Sequence, residues 1–171
     1  MSDEPATQER ASPTVVPPHP LWFYGAALGI VLLDQLTKHL ATLHLTPGQA
    51  VPVLGPIVSL TLRHNRGAAW GLFAAGGPYV AIVAALLVIA IAVWGMRAAG
   101  GDRWLVAGLC LLLGGAIGNL IDRVWLGHVV DFIDFHFWPV FNVADIAVVA
   151  GAVCICYEVL FGAPRRRGPE G

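Results

Sequence analysis

The stretch from Gly118 to Asp145 reads GNLIDRVWLGHVVDFIDFHFWPVFNVAD and gathers polar side chains within an otherwise apolar part of the chain. It lies between two long hydrophobic runs, Trp104 to Ile121 and Val140 to Phe161. Its aspartate, arginine and asparagine residues are Asn119, Asp122, Arg123, Asp131, Asp134, Asn142 and Asp145. Ionisable groups at the edge of a hydrocarbon layer are costly and usually face a wet cavity or a partner. Several of them, on two flanking helices and the loop between, therefore indicate a functional site.

Two of these aspartates, Asp131 and Asp145, are our candidates for a catalytic pair. Two carboxylates brought close together share protons unequally, so that one can act as an acid and the other as a base. Asp122 and Asp134 are the rival carboxylates. Asp122 is adjacent to Arg123 and suits a structural ion pair, whereas Asp134 suits a solvated loop charge. Residue types and spacing alone leave the choice among these carboxylates open.

The composition is that of one membrane-embedded domain. Of the 171 residues, 57% are hydrophobic and 12% are charged, which is about half the charged fraction of a typical soluble domain. The formal net charge of −1 argues against nucleic acid, because there is no basic surface to neutralise phosphates. The three cysteines lie inside apolar runs, which predicts neither a disulfide framework nor a zinc site.

Four apolar runs are long enough to span a membrane. They cover approximately residues 21–43, 79–96, 104–121 and 140–161, each near the ~20 residues that a bilayer core requires. Residues 1–20 are polar and proline-rich, and we expect a disordered tail there. Residues 162–171 are predicted to form a basic tail, which leaves residues 21–161 as the membrane domain.

Residues 44–77 are expected to lie outside the membrane. Val58, Leu60 and Leu62 alternate with polar residues, the pattern of a half-buried strand. The following RHNRGAAWGLF is rich in small residues and contains Trp70 and Phe73, which suit an interfacial position. This segment therefore predicts a small sheet and a short amphipathic element on the membrane surface.

Arginine positions predict the orientation. Arg97 and Arg103 mark the loop between the second and third spans, and residues 165–167 are three arginines at the C-terminus. The positive-inside rule places both regions in the cytoplasm, and four spans then place the N-terminus there too. The polar residues at the opposite ends of the spans converge on the external face.

Asp34 and Lys38 lie four residues apart in the first span, on one face of the predicted helix. They suit either a neutralised ion pair, with Lys38 extending to the membrane interface, or a supporting role in the site. Both interpretations stay open.

Other functions fit the residues less well. None of the three serines lies in a G-x-S-x-G motif, and the six histidines never form H-E-x-x-H, so neither a serine hydrolase nor a zinc protease is indicated. A small proton- or cation-coupled transporter is the alternative, with the aspartates as a relay. It would need a polar path through the bilayer, and the second span has no ionisable residue.

Five short motifs occur in order along these runs and loops. They are DQLTK (Asp34–Lys38), NRGAAWG (Asn65–Gly71), GNLIDR (Gly118–Arg123), VVDFIDF (Val129–Phe135) and FNVAD (Phe141–Asp145). Together they resemble lipoprotein signal peptidase (signal peptidase II), a family of aspartic proteases of the bacterial inner membrane. The resemblance covers the chain from about Leu21 to Phe161.

The resemblance implies that Asp131 and Asp145 form the catalytic dyad. The polar shell or substrate pocket that it implies consists of Asp34, Lys38, Asn65, Gly67, Asn119, Arg123, Asn142 and Ala144. The implied fold is a bundle of four transmembrane helices with a small extracytoplasmic β-cradle and a short surface helix. The implied substrates are prolipoproteins whose lipobox cysteine carries diacylglycerol, cleaved just before that cysteine.

An aspartate dyad hydrolyses a peptide without a covalent intermediate. The ionised carboxylate takes a proton from water while the protonated carboxyl donates to the peptide carbonyl oxygen. We therefore expect no metal and no cofactor. We also expect a monomer that contacts membrane lipid and lipid-modified prolipoprotein.

Overall fold

In the part of the chain that the structure describes, the fold consists of four long helices and one three-stranded sheet. The structure is a computed structural model and describes residues 20–67, 77–98 and 101–162. The elements in chain order are α1 (Pro20–His44), β1 (Ala50–Leu54), β2 (Val58–Asn65), α2 (Gly77–Ala98), α3 (Arg103–Trp125), β3 (Val129–Asp134) and α4 (Val143–Phe161). The predicted tails, apart from Pro20 and Gly162, and most of the predicted surface element at residues 68–76 lie outside the described residues.

The four helices coincide with the four apolar runs. Among the described residues, α2, α3 and α4 are long and apolar enough to cross a membrane, by length and composition. Helix α1 is equally long, at 25 residues, but carries Asp34 and Lys38 in its second half. Three spans are therefore supported by composition, and the fourth stays a prediction.

Helix α3 is the centre of the bundle and packs against the other three helices. Its small residues permit close approach: a Cβ on Gly108 would lie 2.8 Å from the carbonyl oxygen of Gly151 in α4, and one on Gly151 would lie 2.7 Å from that of Gly108. The buried core joins Phe23 of α1 to Leu109 and Leu113 of α3. The outward faces of the helices expose large apolar side chains, as expected of helices that contact lipid.

The sheet has the strand order β1-β2-β3, and both pairs are antiparallel. Strand β3 was expected to be loop, and this expectation was wrong. Val129, Val130, Phe132 and Ile133 have strong β propensity and pair with β2, so that Arg63 lies opposite Asp131 and Asn65 opposite Val129. Asp131 is therefore fixed by a strand rather than carried on a loop.

The connection from β3 to α4 folds back on the strand. Phe141 and Ile133 exchange two backbone hydrogen bonds, with N···O distances of 3.0 and 2.8 Å. Asn142 follows immediately and is the N-cap of α4. This return brings the beginning of α4 beside β3.

Candidate active site

Asp131 is buried on β3, with 2% of its surface exposed. Its Oδ1 accepts a hydrogen bond of 2.7 Å from Nδ2 of Asn142, and its Oδ2 accepts one of 3.0 Å from Nδ2 of Asn65. Asn65 is held in turn, because its Oδ1 accepts the backbone N–H of Gly67 at 3.1 Å. Both oxygens of Asp131 therefore face amide donors.

Asp145 occupies the third position of α4 and completes a capping box with Asn142. The backbone N–H of Asp145 donates to Oδ1 of Asn142 at 2.9 Å, and Oδ2 of Asp145 accepts from the backbone N–H of Asn142 at 3.3 Å. A capping box satisfies two N–H groups that the first helical turn leaves unpaired. The same local sequence, FNVAD, thus starts the helix and fixes the orientation of the Asp145 carboxylate.

Two asparagine side chains connect the carboxyl groups. Asn119 of α3 donates from Nδ2 to Oδ1 of Asp145 at 2.8 Å. Its Oδ1 accepts from Nδ2 of Asn142 at 3.0 Å, and that same Nδ2 reaches Asp131. Asn142 has no exposed surface. The two amides therefore form a continuous bridge from Asp131 to Asp145.

A buried ion network lies behind this bridge. Nζ of Lys38 is 2.8 Å from Oδ2 of Asp34 and 2.9 Å from Oδ2 of Asp122, and it donates to Oδ1 of Asn119 at 3.0 Å. Lys38 is 3% exposed and does not extend to the membrane interface. Asp122 forms an ion pair as expected, but its partner is Lys38 and not Arg123. Lys38 is far from Asp122 in the sequence and approaches it only in the folded chain.

Both carboxylates of the network also hold the backbone next to the candidate dyad. Oδ1 of Asp34 accepts from the N–H of Ala144 at 2.9 Å, and Oδ2 of Asp122 accepts from the N–H of Val130 at 3.0 Å. Gly118 makes the first contact possible, since a Cβ there would lie 2.5 Å from Oδ2 of Asp34. The network is therefore tied to both elements that carry Asp131 and Asp145.

Arg123 is partly buried at the end of α3. Its Nη1 donates to the backbone carbonyl of Asn119 at 3.1 Å. This hydrogen bond joins residues one helical turn apart and keeps the guanidinium beside the site.

Burial and a like charge change the acidity of Asp131. Its pKa is raised from 3.8 to about 7, first by burial in a medium of low polarity and second by the neighbouring charge of Asp145. The hydrogen bonds from Asn65 and Asn142 and the charge of Lys38 act in the opposite direction. Asp131 therefore keeps its proton up to a higher pH than an ordinary aspartate does.

An apolar groove opens beside Asp145. Its volume is about 410 Å³, and it is lined by Phe135, Phe137, Trp138, Phe141, Asp145, Ile146 and Val149. A second apolar cavity of about 480 Å³ lies along α4 between Val148 and Phe161 and shares Val149 with the groove. The aromatic residues that line the groove were not predicted from the sequence, although the FHFW run, placed between two site aspartates, was a usable signal.

The chain was compared with known families, curated proteins and solved structures. The family model described as signal peptidase (SPase) II matches residues 26–161. The chain belongs to the signal peptidase II family. A lipoprotein signal peptidase of Moorella thermoacetica is 43% identical over 142 residues, which is 82% of this chain and 94% of that protein. One from Teredinibacter turnerae is 41% identical over 150 residues, 83% and 89% of the two chains.

Two solved structures share the fold of this chain. A bacterial membrane enzyme determined at 2.3 Å resolution superposes with a TM-score of 0.78 and 29% identity, covering 88% of this chain and 94% of that one. A second, determined at 1.9 Å, has a TM-score of 0.75 and 30% identity, covering 83% and 94%. The fold of this signal peptidase II family member is therefore that of known membrane enzymes.

The structure brings the candidate residues together in one region. Every one of the ten has a described position there, joined by the hydrogen bonds and ion pairs above: Asp34, Lys38, Asn65, Gly67, Asn119, Arg123, Asp131, Asn142, Ala144 and Asp145. The network adds two residues to this set. They are Asp122 and Gln35, whose Nε2 donates to Oδ1 of Asp122 at 3.0 Å.

A second arrangement, Ser59, His136 and Asp134, has the residue types of a serine hydrolase. Oγ of Ser59 is 3.1 Å from Nε2 of His136, and Nδ1 of His136 is 3.6 Å from Oδ1 of Asp134. The 3.6 Å separation of His136 from Asp134 is longer than a hydrogen bond, so this histidine is not oriented as a catalytic triad requires. Asp134 also accepts the backbone N–H of His136 at 2.7 Å, which makes it a turn-forming residue rather than a solvated charge.

Among the described residues no group of three or more His, Cys, Asp or Glu side chains is arranged to hold a metal ion.

Proposed function

We propose that this chain is an aspartic endopeptidase that removes signal peptides from diacylglyceryl-modified prolipoproteins, cleaving just before the lipidated cysteine. Membership of the signal peptidase II family supports the substrate class. The observation that supports the aspartic chemistry is the pair Asp131 and Asp145, bridged by two buried asparagines, with Asp145 lining an apolar groove. The transporter alternative has no support from the family or the fold neighbours.

The unequal surroundings of the two carboxyl groups suggest their first roles. Asp131 is buried and its pKa is raised to about 7, which suits the role of proton donor. Asp145 is partly exposed at the groove and accepts a hydrogen bond from the Asn119 amide, which suits the role of proton acceptor from water. A protonated acid beside an ionised base is the arrangement that water-mediated peptide hydrolysis requires.

The reaction then proceeds in two steps. In the first, Asp145 takes a proton from a water molecule, whose oxygen forms a bond to the scissile carbonyl carbon, while Asp131 gives its proton to the carbonyl oxygen. In the second, Asp145 passes the acquired proton to the leaving nitrogen, the C–N bond breaks, and the hydroxyl proton returns to Asp131 as the carbonyl re-forms. The dyad ends the cycle as it began it.

The apolar groove suits a lipid-modified peptide. It meets Asp145 at one end and continues along α4 towards Phe161, a path of roughly 24 Å at 1.5 Å per residue. Each CH₂ that leaves water contributes about 0.8 kcal/mol, so two acyl chains can hold a scissile bond at the depth of the dyad. Binding remote from the reacting bond can thus align that bond with the two carboxyl groups.

The proposed placement in the bacterial inner membrane follows the arginine distribution. Helix α1 serves as the fourth span, both termini are cytoplasmic, and the sheet and dyad lie at the external face. The sheet acts as a cradle over the beginning of α4. We propose that the enzyme works as a monomer in contact with membrane lipid, without metal or cofactor, and that the tails at residues 1–20 and 162–171 are outside its catalytic domain.

Substitution of the dyad tests the proposal. Asp131→Asn and Asp145→Asn should each lower kcat on a purified diacylglyceryl-modified precursor by at least ~100-fold, because each removes a proton acceptor or donor from the reaction. Asp134→Asn is the matched control, since this carboxylate lies three residues from Asp131 but outside the amide bridge. Substantial turnover by either dyad variant, or equal losses in all three, would contradict the proposed roles.

A further inference from the structure

The ammonium group of Lys38 uses all of its donors. It has three N–H bonds and no acceptor, and three oxygen atoms lie within 3.0 Å: Oδ2 of Asp34, Oδ2 of Asp122 and Oδ1 of Asn119. Because an ammonium group can only donate, the atom of Asn119 that faces it must be the oxygen. The NH₂ of Asn119 then points the other way, to Asp145.

The orientation of Asn119 matches that of the second amide, Asn142, which the backbone also holds, because its Nδ2 donates to the carbonyl oxygen of Val130 at 3.3 Å. Oδ1 of Asn119 also accepts a hydrogen bond from Asn142, so the atom of Asn142 that faces it must be the NH₂ group. That group reaches Oδ1 of Asp131, while Oδ1 of Asn142 accepts the backbone N–H of Asp145. One buried cation is thus the first member of a chain of donors that ends on both carboxyl groups.

We propose that Lys38 is a positioning residue that acts through Asn119, holding both amides with their N–H groups aimed at Asp131 and Asp145 throughout the reaction. This inference rests on the proposed function. During hydrolysis the negative charge leaves Asp145 and later returns, and a neutral carboxyl group attracts the Asn119 amide less strongly. With Lys38 against its oxygen, a rotated Asn119 would place NH₂ against NH₃⁺, so the donor orientation is kept.

The rest of the network keeps the cation in place. Asp34 and Asp122 neutralise it, and they are anchored to the N–H groups of Ala144 and Val130, each one residue from a dyad aspartate. Lys38 is 3% exposed and borders neither apolar cavity on α4. It therefore influences the reaction without contacting the groove, and its loss should lower kcat rather than raise KM.

A double-mutant cycle distinguishes this role from general support of the fold. Lys38→Met and Asn119→Ala should each lower kcat by about 10- to 100-fold, as expected for a lost hydrogen bond to a charged group, with KM within about twofold. If Lys38 acts through Asn119, adding Lys38→Met to Asn119→Ala should cost no more than about another threefold. Multiplicative losses in the double variant would overturn the inference.

Two further variants keep the test decisive. Lys38→Met leaves two buried carboxylates without their cation, so the triple variant Asp34→Asn, Lys38→Met, Asp122→Asn serves in its place if the single variant does not fold. Gly108→Ala is the stability control: it disturbs the contact between α3 and α4 far from the amides, and its kcat per folded molecule should equal that of the wild type. A Lys38 variant that behaves like Gly108→Ala would overturn the inference.

A readout that is independent of activity separates this inference from the proposed function. In ¹⁵N-labelled protein, the side-chain amide protons of Asn119 should exchange with solvent at least ~10-fold faster in the Lys38 variant than in the wild type. Unchanged exchange would refute the positioning role even in an active enzyme. A wild-type protein that does not cleave the lipidated precursor would instead refute the proposed function, while the exchange measurement still decides the role of Lys38.

Discussion

Asp131 should make the stability of this protein depend on pH in a direction that is unusual for an aspartate. Its pKa is about 7 in the folded chain and 3.8 in its ordinary state. In the unfolded chain the carboxyl group therefore releases its proton at lower pH than in the folded chain. Its contribution to stability is fully present below pH ~4 and is lost as the pH rises through ~7.

The size of this effect follows from the two pKa values. Between pH 5 and pH 8, the contribution of Asp131 to the free energy of unfolding should fall by about 2.5 kcal/mol, at ~1.4 kcal/mol for each unit of pKa difference that is in effect. Asp131→Asn removes the titrating group and should abolish this loss. For a chain of this size the loss corresponds to a decrease in Tm of roughly 5–10 °C.

The measurement is unfolding in mild detergent at pH 5, 6.5 and 8, followed by circular dichroism, for the wild type and for Asp131→Asn. Comparing the two pH slopes cancels the contributions of titrating groups that both proteins share. One of these is His64, whose pKa is lowered by burial and by the neighbouring His128 and Arg66. If the wild type and Asp131→Asn have the same slope, Asp131 does not retain its proton in the folded chain and its assignment as the first acid is wrong.

Three more predictions follow from the site. Asn142→Ser should keep the cap of α4 while losing the amide donor, so it should be about 1 kcal/mol more stable than Asn142→Ala yet comparably slow, as unfolding and kcat measurements will check. Gly118→Ala should destabilise the protein and lower the amount of folded enzyme, because its Cβ would lie 2.5 Å from Asp34 Oδ2; normal stability would mean that α1 and α3 separate readily. Trp138→Ala should lower kcat/KM for the lipidated precursor mainly through KM, because Trp138 lines the groove and not the dyad; a selective fall in kcat would contradict this placement.

The helices were predictable from sequence because each is a long, apolar run ended by polar residues. The position of Asp131 on a strand was harder to predict, because β3 has only six residues and its partner β2 lies more than sixty residues earlier in the chain. A strand this short acquires its identity from pairing, and two aspartates within it favoured the assignment to loop.

The candidate dyad was found partly from carboxylate clustering and then from the family motifs, and hydrogen bonds from Asn119 and Asn142 to its carboxylates were expected and are present. The full ion network around Lys38 was not predictable. Lys38 was expected to pair with Asp34 four residues away, and it does. Its bonds to Asp122 and Asn119 depend on how α1 packs against α3. Periodicity places these residues on helix faces but does not say which faces meet. The sequence therefore suggested the adjacent Arg123, and not Lys38, as the ion-pair partner of Asp122.

The pairing of β2 with β3 has a consequence for biogenesis. Asn65 precedes Asp131 by two whole helices, and the amide bridge is closed only by Asn142 and Asp145, at the beginning of the last helix. A chain that enters the membrane from its N-terminus therefore has no functional dyad until α4 is in place. During synthesis, the growing polypeptide therefore lacks the proposed catalytic pair until its last helix is inserted.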